Sequence, residues 1–316
     1  MNTVTAPLFS PASEWSGRND GPGPEHARWH STIDTASGPT ADAVHLIGFA
    51  SDEGVERNGG RQGAAKGPAA LRAALGSLAV HEPRKLIDAG TVTTQDDDLE
   101  TAQREVSDRV RDLVAAQGSA GMTVVLGGGH ETSFATHRGA YEALGPMQVI
   151  NFDAHFDLRT ADRPTSGTPF RQIAELVGDD FDYSVFGISR PNNTKVLFDT
   201  AEQLGVTTVL DTELAAMTVR EAAERALAAV EGDLPIQLSI DLDVLPAAVA
   251  PGVSAPAGFG VDYAALRAMV AAVASTGRVA LLDVVELNPE FDVDNRTAKA
   301  AARLIDDAVV GATGRR

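Results

Sequence analysis

Short apolar runs and helix-periodic segments alternate along this chain from residue 41 onward. HLIGFA (45–50), TVVLG (123–127), QVINFDA (148–154), YSVFGIS (183–189), PIQLSIDLD (235–243) and RVALLDVVEL (278–287) read as short buried strands, and KLIDAG (85–90) and VTTVL (206–210) are weaker forms of the same signal. Between them the spacing of apolar positions predicts helices over 67–78, 99–117, 132–145, 218–232, 262–275 and 297–311. A continuously apolar strand is covered on both faces, and strict strand–helix alternation points to parallel pairing. The expected fold is α/β: three layers, α/β/α, around a mostly parallel sheet of about eight strands. With no internal repeat and no obvious linker, residues 41–316 read as one catalytic domain. Residues 1–40, rich in Pro, Gly, Ser and charge, read as an extension with little regular structure.

In open sheets of this kind ligands bind outside the carboxyl ends of the strands. Four such ends bear acidic or imidazole side chains: Gly127–Glu131, Asp153–Asp157, Asp241–Asp243 and Glu286. Asp153-Ala-His155-Phe-Asp157 sets three ligand-type side chains at spacing two, and Asp241-Leu-Asp243 sets two more. In an extended chain, residues at that spacing project to one face. Burying charge there costs several kcal/mol per ion unless it is compensated. Divalent cations supply the compensation: four carboxylates balance two M²⁺ ions, with His130 and His155 as neutral imidazoles. A ligand set dominated by oxygen favours Mn²⁺ over zinc. Two such ions about 3.5–4 Å apart share a water and bring its pKa toward neutrality. A polar turn is the plainer reading of each segment alone; the three together, each at a strand end, favour the metals. Gly127-Gly128-Gly129 lacks the Lys-Ser/Thr of a phosphate loop. It reads as space cleared for the backbone at His130 to approach the ions.

Composition removes several alternatives. The chain has no cysteine, which excludes disulfides, thiolate nucleophiles and Cys-based zinc sites. Its net charge of −18 argues against nucleic acid and against an anionic membrane surface. Most of that charge belongs to a solvated surface, since a few ligands cannot account for it. No apolar run approaches the roughly 18 residues of a membrane span, and the first thirty residues lack a secretory pattern. A cytoplasmic enzyme is expected.

LGGGHETSFA (126–135), VINFDAHFD (149–157) and SIDLDVLPAAVAPGVSAPAGFG (239–260) resemble the three signature blocks of the arginase/agmatinase ureohydrolase superfamily. The resemblance places His130, Asp153, His155, Asp157, Asp241 and Asp243 on that family's metal ligands. It places Glu286 on the carboxylate that holds the amidine or guanidine nitrogens. It implies two Mn²⁺ per subunit, the three-layer fold, and a homo-oligomer, a trimer or hexamer. Arginases typically carry a histidine where this chain has Phe170, four residues after Ser166. That departure, with GVERNGGRQGAAKGPAALR (54–72) and FGISRPNNT (186–194), is similar to the subfamily that cleaves N-formimidoyl-L-glutamate to L-glutamate and formamide in histidine degradation. The implied reaction is attack of a metal-bridging hydroxide on the amidine carbon. Asp157 would be ligand and proton carrier, and Glu286 would orient the substrate. Arg57, Asn58, Arg61, Arg190, Asn192 and Asn193 are the candidates for gripping its two carboxylates. Phe170 either narrows the mouth or simply packs. The alternatives are an agmatinase- or guanidinobutyrase-type activity releasing urea, and a non-catalytic metal-binding homologue.

Overall fold

The computed structural model describes residues 7–230 and 232–313. Residues 1–6 of the extension, residue 231 of the helix expected over 218–232, and residues 314–316 lie outside the described residues. Ten strands form one sheet: β1 (Phe9–Ser10), β2 (Ile33–Asp34), β3 (Ala43–Ala50), β4 (Lys85–Thr93), β5 (Met122–Leu126), β6 (Gln148–Phe152), β7 (Asp182–Ile188), β8 (Thr207–Leu210), β9 (Ile236–Asp241) and β10 (Val279–Val285). The order is β1-β4-β3-β5-β10-β9-β6-β7-β8, with β2 paired to β4. Every pairing is parallel except β1 with β4. The eight strands read from the sequence are β3 to β10.

The apolar strands serve three core clusters, the third built on Val149, Tyr183 and Val185 of β6 and β7. Along β3 and β5, Val44, Leu46, Val124 and Leu126 join one cluster, while Ile47, Phe49 and Val125 join another. Alternate residues of a strand point to opposite faces, so these two clusters lie on either side of the sheet. Leu71, Leu75, Val273 and Leu304 of helices Gly67–Gly76, Tyr263–Ala274 and Arg296–Thr313 complete the first. Val106, Val110 and Ala135 of helices Leu99–Ala116 and Thr132–Leu144 complete the second. Helix starts follow local chemistry: Asp98 accepts from the Thr101 amide, Asp262 accepts from Ala264 and Ala265, and Thr218 with Glu221 forms a capping box. No described helix is long and apolar enough to cross a membrane.

Within residues 7–40 regular structure is limited to β1, β2 and two short helical turns. Trp29 nevertheless sinks fully into the first core and donates from Nε1 to Asp306 Oδ1 at 3.0 Å. Trp15 donates to Asp88 Oδ2 at 2.8 Å.

β5, β10, β9 and β6 are contiguous and parallel. Their carboxyl ends therefore lie side by side, and these are the four ends singled out in the sequence. The topology alone brings them to one edge.

Candidate metal centre

His130 lies on the turn after β5, and its backbone N–H donates to Glu286 Oε1 at 2.8 Å. Its Nδ1 lies 3.1 Å from Asp153 Oδ2, 2.9 Å from Asp157 Oδ2 and 3.1 Å from Asp241 Oδ2. His155 Nδ1 lies 3.1 Å from Asp243 Oδ2 and 3.7 Å from Asp153 Oδ1. Two ligand groups result, His130–Asp153–Asp157–Asp241 and Asp153–His155–Asp243, sharing Asp153. All six predicted side chains thus meet at one place.

They do not meet by strand pleating. β6 ends at Phe152, and Asp157 sits in a loop with a left-handed φ of 50°. Asp243 lies in the helical turn Leu242–Val244. What aligns each motif is a side-chain turn. Asp153 Oδ1 accepts from the His155 amide at 2.6 Å, and Asp241 Oδ1 accepts from the Asp243 amide at 2.8 Å. An aspartate that bonds the amide two residues on curls the chain as a backbone turn does. In both motifs Oδ1 shapes the loop and Oδ2 faces His130 Nδ1.

The donor set fits cations. His130 Nε2 approaches Ser239 Oγ at 3.1 Å. The Ser239 hydroxyl donates to Asp283, so it accepts from Nε2–H and leaves Nδ1 to offer its lone pair to a cation, or to take a second proton when no cation is bound. That Nδ1 is buried and makes no hydrogen bond, although three carboxylate oxygens surround it. Asp243 Oδ1 is likewise buried without a hydrogen-bond partner. A lone pair facing three carboxylates is stable only around a positive charge.

The titration behaviour without metal says the same. Burial, then the charge of Asp153, pushes Asp157 up to about 6. Burial and its acidic neighbours hold Asp241 well above the usual carboxylate range. The charge of Asp243 drives His155 up to about 12, against burial. Burial opposes a charge on His130, yet Asp153, Asp157 and Asp241 carry it well above normal. Metal-free, the cluster gathers protons where ions belong.

Beside the cluster opens a cavity of about 290 Å³ lined by His155, Asp157, Asp241, Asp243, Glu286, Asn58, Arg61, Arg159, Ser166, Asn193 and Ser254, among others. Glu286 sits just past β10 with a left-handed φ of 67°, an uncommon conformation that recurs at functional sites. Burial, then the nearby charges of Glu131 and Asp243, pushes its carboxyl up to about 8 despite the hydrogen bond from Ser254.

The other predicted contacts divide. Asn58, Arg61 and Asn193 line the cavity; Arg57, Arg190 and Asn192 do not. Arg57 is engaged by Glu53, Glu100 and the carbonyls of Asp97 and Pro164. Arg190 and Asn192 lie in an exposed turn, Arg190–Asn192. Arg61 leans on the Ser254 and Val253 carbonyls and stacks 3.9 Å over Phe291. The Asn193 amide bonds the backbone at Ala154, Phe156 and Ser189, so it shapes the ligand loop from behind.

Arg159 went unread. It lines the cavity, and among the described residues its guanidinium has no hydrogen-bond or ion-pair partner. Its signal was present: it extends the spacing of Asp153, His155 and Asp157 by one more step of two. Phe170 is fully buried, edge-on to His130 at 5.2 Å and stacked on Tyr183 at 4.4 Å. It packs behind the cluster and does not narrow the mouth. At the triple glycine, side chains would strike Val285, the Ser51 carbonyl and the Glu131 carboxylate, so the glycines allow close packing of the turn against those residues.

A mostly parallel α/β sheet whose contiguous strand ends hold overlapping His/Asp ligand groups defines a metal-dependent hydrolase. The chain belongs to the arginase family, whose model matches residues 42–311. It is 49% identical over 296 residues to a formimidoylglutamase of Corynebacterium efficiens, covering 93% of each chain. Its fold is similar to that of a Trypanosoma cruzi formiminoglutamase solved with Mn²⁺, with a TM-score of 0.79 and 30% identity over 87% of this chain and 95% of that one. The formimidoylglutamase of Bacillus subtilis shares the fold, with a TM-score of 0.83, 24% identity and coverage of 91% of this chain and 92% of that one.

Proposed function

We infer that this chain hydrolyses N-formimidoyl-L-glutamate to L-glutamate and formamide. The observation that carries the reading is the charge layout of one cavity. Glu286 stands beside the ligand cluster, and the unpartnered Arg159 lines the same space with Arg61. The substrate has a cationic amidine at one end and two carboxylates at the other. The relatives named formimidoylglutamase support the assignment.

His130, Asp153, Asp157 and Asp241 would hold one divalent cation, and Asp153, His155 and Asp243 a second, with Mn²⁺ the expected metal. Bound there, the ions supply a hydroxide nucleophile at neutral pH. Glu286 grips the amidine N–H groups by charge-assisted hydrogen bonds and fixes its planar carbon for attack. Its own geometry is held by the His130 amide and the Ser254 hydroxyl. Asp157, at the cavity wall, carries the proton to the departing amine. Arg159 takes a carboxylate bidentately, with Arg61 and Asn58 beside it. A guanidino substrate with a cationic tail would meet two arginines instead, which disfavours the agmatinase-type reading. The proposal extends to a cytoplasmic homo-oligomer, a trimer or hexamer.

The test is product identity. Protein loaded with Mn²⁺ is offered N-formimidoyl-L-glutamate, arginine, agmatine and 4-guanidinobutyrate separately. Glutamate and formamide from the first alone is the expected result; urea from any other overturns the substrate assignment.

A further inference from the structure

Glu131 follows the ligand His130 directly and is completely buried, and its carboxylate accepts from Ser51 and Gly54 rather than from any of the six ligand side chains. Its Oε1 accepts from the Ser51 hydroxyl at 2.8 Å and from the Gly54 amide at 3.1 Å. Its Oε2 has no hydrogen-bond partner. The surroundings are shaped to hold it: a side chain at either Gly54 or Gly129 would collide with the Glu131 carboxylate. The Gly129 amide also donates to the Ser51 carbonyl at 3.0 Å. The turn bearing His130 is thus fastened to residues 51–54 by three hydrogen bonds.

Those residues are the base of a cavity wall. From Gly54 the helix Glu53–Arg57 leads into Asn58, Gly59, Gly60 and Arg61, all of which line the cavity. The segment is closed where Asp52 Oδ2 accepts from the Gly63 amide at 2.7 Å. The Gly54 carbonyl accepts from the Ser166 amide at 3.0 Å, and Ser166 is another lining residue. Gly54 therefore joins Glu131 on one side to the substrate wall on the other.

The geometry points to Glu131 as a positioning residue that clamps the 52–63 loop to the His130 turn and so sets the substrate wall against the metal cluster. It does not touch the reacting atoms. Its effect reaches substrate through the placement of Asn58 and Arg61.

The experiment compares Glu131→Ala and Glu131→Gln in Mn²⁺-loaded enzyme by steady-state kinetics, metal analysis and amide hydrogen exchange. Gln keeps a carbonyl oxygen where Oε1 accepts, whereas Ala leaves the Ser51 hydroxyl and Gly54 amide unpaired. Ala should raise KM for N-formimidoyl-L-glutamate roughly tenfold, the loss expected when buried hydrogen-bond donors are left unpaired. Change in kcat should be smaller, metal content unchanged, and exchange across 54–63 faster. Gln should restore KM and exchange. Loss of metal in the Ala variant, an unchanged KM, or failure of Gln to rescue would each overturn the role. Ser51→Ala releases the clamp from the loop side and leaves Glu131 in place. It should shift KM and exchange the same way by a smaller factor; no shift would count against the clamp. The kinetic arm rests on the proposed activity, and the exchange arm does not. Faster exchange in an enzyme that ignores this substrate would uphold the clamp and sink the substrate assignment.

Discussion

Replacing Glu286 by Gln isolates the charge that the substrate's amidine is argued to require. Both carboxylate oxygens already have protein partners: Oε1 accepts from the His130 amide at 2.8 Å and Oε2 from the Ser254 hydroxyl. Glutamine keeps the first contact through its carbonyl. It reverses the second, because a hydroxyl accepts as readily as it donates. The fold and the ligand turn are therefore preserved while the anion is removed. One hydrogen bond between charged partners in a buried site is worth about 1.5–3 kcal/mol. Toward the upper end that is roughly a hundredfold in kcat/KM.

The assay is steady-state hydrolysis of N-formimidoyl-L-glutamate across pH, with metal content measured on the same samples. The pH dependence adds a second signature. Burial and acidic neighbours push the Glu286 carboxyl up to about 8 in the metal-free site, and cations beside it bring that down. Only the ionised form grips an amidinium, so kcat/KM should rise with pH through a limb at or below that value. The Gln variant should lose the Glu286 contribution to the limb along with the activity. Near-normal turnover would refute the argument, as would loss of metal in parallel with activity.

Chelation should lower the melting temperature, because ions bound only to the folded state stabilise it by about 2.7 kcal/mol at a free concentration of 100 Kd. A melting curve indifferent to chelator would remove the metal assignment. Metal uptake should release protons, since His155 is pushed up to about 12 and Asp157 up to about 6 before loading. Calorimetry in buffers of different ionisation enthalpy reads that release, and zero release would contradict the apo cluster described above. Phe170→Ala should cost about 3–5 kcal/mol of stability in denaturant unfolding, as deletion of a fully buried ring does. A loss under about 1 kcal/mol would mean the ring is not packed as described.

The sheet was legible because its strands are buried on both faces and so spell unbroken apolar runs. Their ends were legible because charge at the end of such a run demands a reason. Less visible were elements too short to show a period: helix Glu53–Arg57 and the two-residue strands β1 and β2. Side-chain commitments were far less legible. Arg57 and Arg61 look alike in the loop sequence, yet Arg57 is engaged by Glu53 and Glu100 while Arg61 reaches the cavity. The spacing of four between Glu53 and Arg57 is the one local hint, and Glu100, which completes the pairing, arrives from a distant helix. Arg159 was the opposite case: its spacing was on display, and only the absence of a partner, visible in three dimensions, marks it as free.

The side chains of the two aspartate motifs gather on one face, but not through a pleated strand. Spacing two suggests a pleated strand, whereas Asp153 and Asp241 each bend the chain by accepting the amide two residues on. One carboxylate oxygen thereby fixes the loop and the other is left for the cluster. A residue that must do both leaves little choice of side chain. Glutamate is longer by a methylene and would displace either the turn or the ligand oxygen. Asparagine could keep the turn but lacks the charge. Serine and threonine can make a weaker version of the turn but offer no carboxylate. The short motif is thus specific well beyond its length, because loop conformation and cation chemistry constrain the same atoms. The left-handed backbone at Asp157 and Glu286 shows the same economy, with conformations that are unfavourable for these residues retained where the chain must turn a carboxylate toward the cavity.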